Sequence, residues 1–392
     1  MCPQLRRLTW TFSYGWDHMQ QFLSPHLISV TFLGEGETGH NIDQALAPTI
    51  ALLPTTYLKE IEFKHLQSSA PIQSALSEVV QRLNTHFKRL ATGFSLSDPA
   101  WAHLASLPNL ESLRVSGTPS TEIQKSKPHE STFPVLKSVR IKVENTHQHW
   151  SSLFSLLESS PIRRVAIVKR PGIRIDDVPK RVTIALLEAG LQQSVYVLTF
   201  SEFDPTSLTF ISRLGPFSSL KILRCDTQCQ GLGRCAFPPT DSDIGNLASG
   251  LPRLVALRLG HGCGCSAYNT TIKSIISLSF HCLSLEELHL PCDLTNISED
   301  AKTESGEPDS RLQIQSSCKL QFLAFPWVIT PPSDDIKALR VVALALHHLF
   351  PQSRLGELWP GEVWLGDSWG RGAGELGVAW KATLDMMANF RR

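Results

Sequence analysis

Five of the nine cysteines fall within forty-one residues: Cys225, Cys229, Cys235, Cys263 and Cys265, with His261 among them. Thiolates and imidazoles are the ligands of tetrahedral zinc, which makes Cys229, Cys235, Cys263 and Cys265 a candidate thiol cluster. The spacings, Cys-x3-Cys-x5-Cys and His-x-Cys-x-Cys, follow no zinc-finger pattern. A metal site, a redox-labile pair and ordinary reduced thiols all remain open, and reduced thiols are the expectation. No metal and no cofactor is assigned. Enzyme signatures are missing from the chain: there is no G-x-G-x-x-G, P-loop, G-x-S-x-G or H-E-x-x-H. Gly34-Glu35-Gly36-Glu37 lacks the third glycine of a dinucleotide loop and reads as a plain loop. His347-His348 sits in an apolar helical pattern where at most one ring faces the core. A non-enzymatic protein is expected.

The elements that position these residues follow from a repeat. An apolar residue, two variable positions, an apolar residue, one variable position and a third apolar residue recur twelve times, beginning at Leu5, Leu27, Leu58, Phe87, Leu110, Leu136, Ile162, Val195, Leu220, Leu254, Leu285 and Leu320. The copy at Phe87 is the weakest, with Thr92 as its third member. The mean period is about 29 residues, within the leucine-rich-repeat range. The last two apolar residues of each phrase are two apart, so they point to one side of a short strand. Stacking such strands in parallel buries these side chains in one continuous core.

Between the phrases lie helical patterns: Ala70–Asn84, a helix opened by Ser97-Asp98-Pro99, another opened by Thr240-Asp241-Ser242-Asp243, and Asp334 to Phe350. Leu107-Pro108, Phe133-Pro134 and Leu251-Pro252 predict an extended approach to the next strand. The fold class is therefore α/β, a leucine-rich-repeat solenoid with a curved parallel sheet inside and helices outside, of about twelve repeats. Residues 1–329 form the array, and 330–392 hold the last repeat helix and a C-terminal capping segment. Insertions fall at 117–132, 169–180 and the acidic stretch 293–311.

The residue between the last two apolar positions faces the concave side. Successive repeats place Thr9, Thr31, Glu62, Ala91, Arg114, Arg140, Ala166, Thr199, Arg224, Arg258, His289 and Ala324 there. Two arginine pairs thus fall on adjacent rungs, with Lys142, Arg164 and Arg89 nearby. Arg114, Arg140, Lys142, Arg164, Arg224, Arg258 and His289 form the candidate ligand-binding face. Guanidinium groups read carboxylate and phosphate bidentately, so the implied partner is a protein with an acidic or phosphorylated segment.

Composition bounds the partner further. Lys and Arg number 37 against 36 Asp and Glu, a net charge of +1. That balance argues against nucleic-acid binding by bulk charge and against a polybasic membrane contact. No run approaches the roughly 20 apolar residues of a membrane helix. The first residues, Met1 to Arg7, lack the layout of a signal peptide. A soluble protein of the cytoplasm or nucleus is expected.

Several segments carry a family likeness: Cys2-Pro-Gln-Leu-Arg-Arg-Leu, Leu107-Pro-Asn-Leu-Glu-Ser-Leu, Asp243-Ile-Gly-Asn-Leu-Ala-Ser-Gly-Leu-Pro-Arg-Leu-Val-Ala-Leu-Arg-Leu and Cys282-Leu-Ser-Leu-Glu-Glu-Leu-His-Leu-Pro. With these, residues 1–350 resemble the leucine-rich-repeat region of the fungal, mushroom-type F-box proteins. The resemblance implies a substrate receptor of a cullin-based ubiquitin ligase. In such proteins an F-box of some forty-odd residues precedes the repeats. Here the first repeat begins at Leu5, so either an upstream segment carries the F-box or the chain is a paralogue lacking it. Binding to a cullin-type ligase adaptor is expected only with an F-box upstream. The alternative is a ligase-independent inhibitor or assembly factor built on the same repeats.

Overall fold

Each repeat phrase forms one strand, because alternating apolar residues give a ribbon with one dry face and one wet face. The computed structural model describes residues 4–12, 16–34, 41–66, 69–120, 132–144, 148–170, 177–227, 236–261, 267–295, 318–320, 322–324, 328–329, 346 and 349. The chain divides into two units, Met1–Val195 and Tyr196–Arg392.

In the first unit, seven strands pair in chain order and all in parallel: β1 Arg7–Phe12, β2 Ser29–Gly34, β3 Glu60–Lys64, β4 Arg89–Ser95, β5 Ser112–Ser116, β6 Ser138–Val143 and β7 Arg164–Lys169. Leu8, Val30, Ile61, Leu90, Leu113, Val139 and Val165 are successive partners and all are buried. A second row deepens the core, with Phe32 stacked on Phe63 at 4.7 Å and Phe63 tilted against Phe94 at 5.3 Å.

The N-terminal edge of this sheet is closed by a regular ladder. The carbonyls of Arg6, Ile28, Lys59, Lys88, Glu111 and Lys137 each accept two backbone N–H groups from the following repeat, at 2.7–3.3 Å. Lys88 O, for example, accepts from Glu111 N and Ser112 N. Every rung is thereby pinned to the one before it.

Helices make the return crossings that parallel strands require. They are α1 Trp16–Met19, α2 Asn41–Ala51, α3 Ala70–Gln81, α4 Asp98–Ser106, α5 Trp150–Leu157 and α6 Val178–Glu188. Ile72, Leu76, Val79 and Val80 of α3 are buried, as the periodicity predicts. The helix ends at Gln81, short of the expected Asn84. Asn84 makes a turn instead: its Oδ1 accepts from His86 N at 2.8 Å, and its amide donates to Thr55 O at 2.9 Å. Leu107 is extended, as expected before proline. Phe133 departs from that expectation at φ 51°, with its ring buried and its N–H donated to Ala105 O at 2.8 Å.

The weak fourth phrase has a structural counterpart. Thr92 is buried in the slot of an apolar residue, and its Oγ1 accepts from Phe94 N at 3.1 Å. The register between β4 and β5 shifts between Ala91 and Ser95, which brings Phe94 into the core.

In the second unit, β8 Val197–Phe203, β9 Ile222–Thr227, β11 Ala256–His261, β13 Glu287–His289 and β15 Phe322–Ala324 pair in parallel in that order. Two short parallel pairs accompany them, β10 Ala236–Thr240 with β12 Ala267–Asn269 and β14 Cys292–Asp293 with β16 Val328–Ile329. After β8 the crossing is a 3-10 helix, Pro205–Arg213, in which Leu208, Phe210 and Ile211 are buried. The next two crossings are α7 Asp241–Gly250 and α8 Ile272–His281. The expected start of α7 is a capping box between Thr240 and Asp243.

Asp241 does something the sequence did not signal. Its carboxylate accepts from Thr271 N at 2.7 Å, Thr271 Oγ1 at 2.8 Å and Ser274 N at 3.1 Å, so the first turn of α7 caps α8. At the other end of α7, Gly250 meets Gly215 backbone to backbone, and a methyl group there would lie 2.6 Å from Gly215 Cα.

The helix expected at 334–350, the strand at 362–365, the glycine-rich 366–374 and the closing helix lie outside the described residues, apart from Leu346 and Leu349, both buried. The acidic stretch lies outside them from 296 onward, as do 121–131 and 171–176 of the other insertions.

Replacing Asp241 with Ala removes a cap shared by two repeats. The expected cost is about 1–2 kcal/mol in urea unfolding. Amide-exchange protection should fall first in α8, and a loss confined to α7 would contradict the shared cap.

Candidate functional site

Residues one before and one after each first strand apolar share the open face of the sheet, opposite the core. In the first unit Thr9, Thr31, Glu62, Ala91, Arg114, Arg140 and Ala166 are successive Cα partners across seven strands. That is the row predicted from the repeat alignment. Arg114 pairs directly with Arg140, Ser116 with Lys142, and Ser138 with Arg164. The four basic candidates of this unit are therefore brought together on β5 to β7. Arg89 stands on β4 opposite Ser112.

Arg114 and Arg140 are both exposed and neither makes an ion pair among the described residues. The Arg140 guanidinium is held below the ordinary arginine range. Loss of water against the sheet is the larger cause, and the charge of Arg114 on the next strand adds to it. Two like charges are kept side by side without a counterion from the protein.

A second tier of charge lies behind this row, at the N-terminal edge. The edge ladder puts Lys88, Glu111, Lys137 and Arg163 on consecutive rungs. Glu111 bridges Lys88 at 3.4 Å and Lys137 at 3.3 Å. Its carboxyl lies below the usual carboxylate range, chiefly through the hydrogen bond and charge of Lys137 and then through Lys88. In front of this tier is a depression of about 490 Å³, walled by Arg89, Ser112, Ser138 and Arg164 as well as by the edge residues. The repeat alignment weighed the position between the apolar residues and passed over this tier. The doubled cations Lys88-Arg89 and Arg163-Arg164, each just ahead of a strand, were the signal that marks it.

In the second unit the predicted row is again in register: Thr199, Arg224, Arg258, His289 and Ala324 are successive partners. Its chemistry differs. Arg258 is ion-paired to Glu287, and His289 Nε2 lies 3.1 Å from the same carboxylate with the ring buried. Arg224 is half-buried with Asp226 two residues on. The second arginine pair is thus largely committed within the protein, and the uncompensated charge lies on the first unit.

The cysteines resolve only in part. Cys225 occupies a leucine slot in the core, with Phe200 and Leu259 as its strand partners. Burial pushes its thiol far above the usual range, with Asp226 adding to the effect. Cys282 donates to Ala248 O at 3.6 Å and Leu251 O at 3.5 Å; Cys318 donates to Cys282 O at 3.6 Å and Leu285 O at 3.3 Å. Burial raises the Cys282 thiol to about 12, helped by Cys318, and raises Cys318 to about 11. Cys229, Cys235, Cys263 and Cys265 lie outside the described residues, as do Gly36, Glu37, His347 and His348. Among the described residues, no group of three or more His, Cys, Asp or Glu is placed to hold a metal ion. No helix among them is long and apolar enough to cross a membrane.

Parallel rungs in register, each with an apolar phrase and a return crossing, decide the fold. It is a leucine-rich-repeat solenoid. Among solved structures the chain is similar to a leucine-rich-repeat protein of Leptospira interrogans, with 12% identity and a TM-score of 0.31, over 90% of this chain and 95% of that one. No family model and no curated relative matches the chain.

The thiol ladder carries its own test. At pH 8 a thiol titrating near 11 is about one part in a thousand thiolate. Iodoacetamide labelling read by peptide mass spectrometry should leave Cys282 and Cys318 unmodified in the native protein and label both fully after denaturation. Rapid native labelling of Cys282 would show that the site is wet.

Proposed function

We propose that this chain is a non-enzymatic binding scaffold that captures a protein partner through an acidic segment laid across β5 to β7. The observation that carries this reading is the Arg114–Arg140 pair. Two exposed guanidiniums on adjacent rungs, with Lys142 one step along and Arg164 one strand over, have no carboxylate partner among the described residues. An anion on that face gains charge-assisted hydrogen bonds without displacing an internal salt bridge. The non-enzymatic part of the reading has its own support. The described thiols with shifted titration are shifted upward by burial, away from the ionised form a nucleophile needs.

The likeness of the repeats to mushroom-type F-box proteins supplies a cellular setting for this reading: substrate recognition for a cullin-based ubiquitin ligase. Proximity labelling in cells separates this from the ligase-independent alternative. Enrichment of cullin and adaptor subunits supports the receptor. Recovery of partner proteins without them favours an inhibitor or assembly factor.

The face itself is tested by charge reversal. Arg114→Glu with Arg140→Glu should weaken binding of a labelled Asp/Glu-rich peptide by roughly a hundredfold, because two charge-assisted contacts are lost and two repulsions are added. Wild-type affinity should fall with added salt, and less steeply in the double variant. Unchanged peptide binding in a variant with an unchanged melting temperature would refute the assignment.

A further inference from the structure

We propose that the depression in front of β4 to β7 is a phosphate-monoester site that seats a phosphorylated serine or threonine of the bound protein. This rests on the acidic-partner reading and adds the chemical class of the anion. One residue from each of four consecutive strands lines the depression: Arg89, Ser112, Ser138 and Arg164. They are direct Cα partners in that order, so two serines are flanked by an arginine on either side. Adjacent strands are about 4.8 Å apart, which places the outer two backbones roughly 14 Å apart, with the serines between them.

Charge matching selects the ligand. Arg89 and Arg164 are exposed and make no ion pair among the described residues. The two carboxylates that line the same depression are both engaged. Glu60 accepts from Ser29 Oγ at 3.3 Å, and Glu111 is held between Lys88 and Lys137. Two uncommitted guanidiniums therefore remain at the opening. A single carboxylate neutralises only one of them. A phosphate monoester carries about −1.5 to −2 charges at pH 7 and three acceptor oxygens. It can accept from both guanidinium forks and still offer an oxygen to the serine hydroxyls. A nucleic-acid phosphodiester carries one charge per group and lacks that match.

The test uses the full chain and three pools of short degenerate peptides, identical except for phosphoserine, glutamate or serine at the central position. Fluorescence polarisation should show the phosphoserine pool binding about tenfold tighter than the glutamate pool. Arg89→Gln with Arg164→Gln should abolish that preference while leaving glutamate-pool binding within about twofold, because Arg114 and Arg140 are intact. Ser112→Ala with Ser138→Ala should reduce the preference in part. The preference should grow from pH 5 to 7, as the phosphate loses its second proton near pH 6.

Inorganic phosphate competing at concentrations far above those of the peptide supports a phosphopeptide site. Competition by inorganic phosphate at equal concentration points to a free-phosphate site and overturns the proposal. Equal binding of the phosphoserine and glutamate pools overturns it while leaving the acidic-partner reading standing. So does a phosphate preference that survives in the Arg89/Arg164 variant. A single-stranded oligonucleotide binding as tightly as the phosphoserine pool overturns it in favour of nucleic acid. Failure of both anionic pools to bind removes both readings.

Discussion

The bifurcated hydrogen bonds along the N-terminal edge of the first unit are the constraint on which its chemistry depends. One carbonyl per rung accepts two N–H groups from the next repeat, from Arg6 through Lys137. A strand has a side-chain period of two, so a slip of one residue would turn the core face outward. Pinning the first residues of each strand fixes the register and therefore decides which side chains share a row. Arg114 and Arg140 are neighbours because Glu111 N and Lys137 N are each committed to the preceding rung. The same ladder aligns Lys88, Glu111, Lys137 and Arg163, and places Ser112 and Ser138 between Arg89 and Arg164.

Much of this was legible in the sequence, for a physical reason. The Leu-x-x-Leu-x-Leu phrase encodes strand, facing and register together, so aligning phrases predicted the Thr9-to-Ala166 row and the Thr199-to-Ala324 row position by position. What stayed hidden depends on side chains reaching between repeats. Glu287 lies 29 positions after Arg258 and one residue ahead of its strand's first apolar position, yet it neutralises that arginine and touches His289. Asp241 reads as a helix-start residue of its own repeat and in fact caps the next helix. The crossing after β8 is a 3-10 segment beginning at Pro205, where the repeat pattern implied an ordinary helix. Asn84 closed α3 earlier than its apolar periodicity suggested.

The two arginine pairs show why equivalent sequence positions are not equivalent sites. Both sit between strand apolar residues on adjacent rungs. Arg258 faces a strand that carries Glu287, whereas Arg114 and Arg140 face strands whose flanking residues are Ser112, Ser138 and Arg164. The near-neutral total of +1 therefore conceals a local excess of positive charge on β4 to β7. Bulk charge argued against steering by the whole molecule, and that argument holds for long-range attraction. It does not reach a face of a few rungs, since a Debye length of about 8 Å at physiological salt makes neighbouring strands the relevant scale.

The cysteines complete the division between scaffold and surface. Asn84 and Cys282 stand three residues ahead of the first apolar residue of their phrases, and both donate to carbonyls of the preceding repeat. Where the turn admits water, an amide makes that link; where it is dry, a thiol makes it at a lower desolvation cost. A thiol used this way is held protonated by its burial and contributes to register. Like charges on the open face act in the opposite sense. Arg114 and Arg140 repel at a spacing the backbone does not allow them to relax, which lowers the stability of the unliganded sheet. An anion that neutralises them is bound by the folded state alone and recovers that energy on binding. Rigidity at the edge ladder thus becomes affinity at the face, because side chains already held at rung spacing lose little further freedom when the partner arrives.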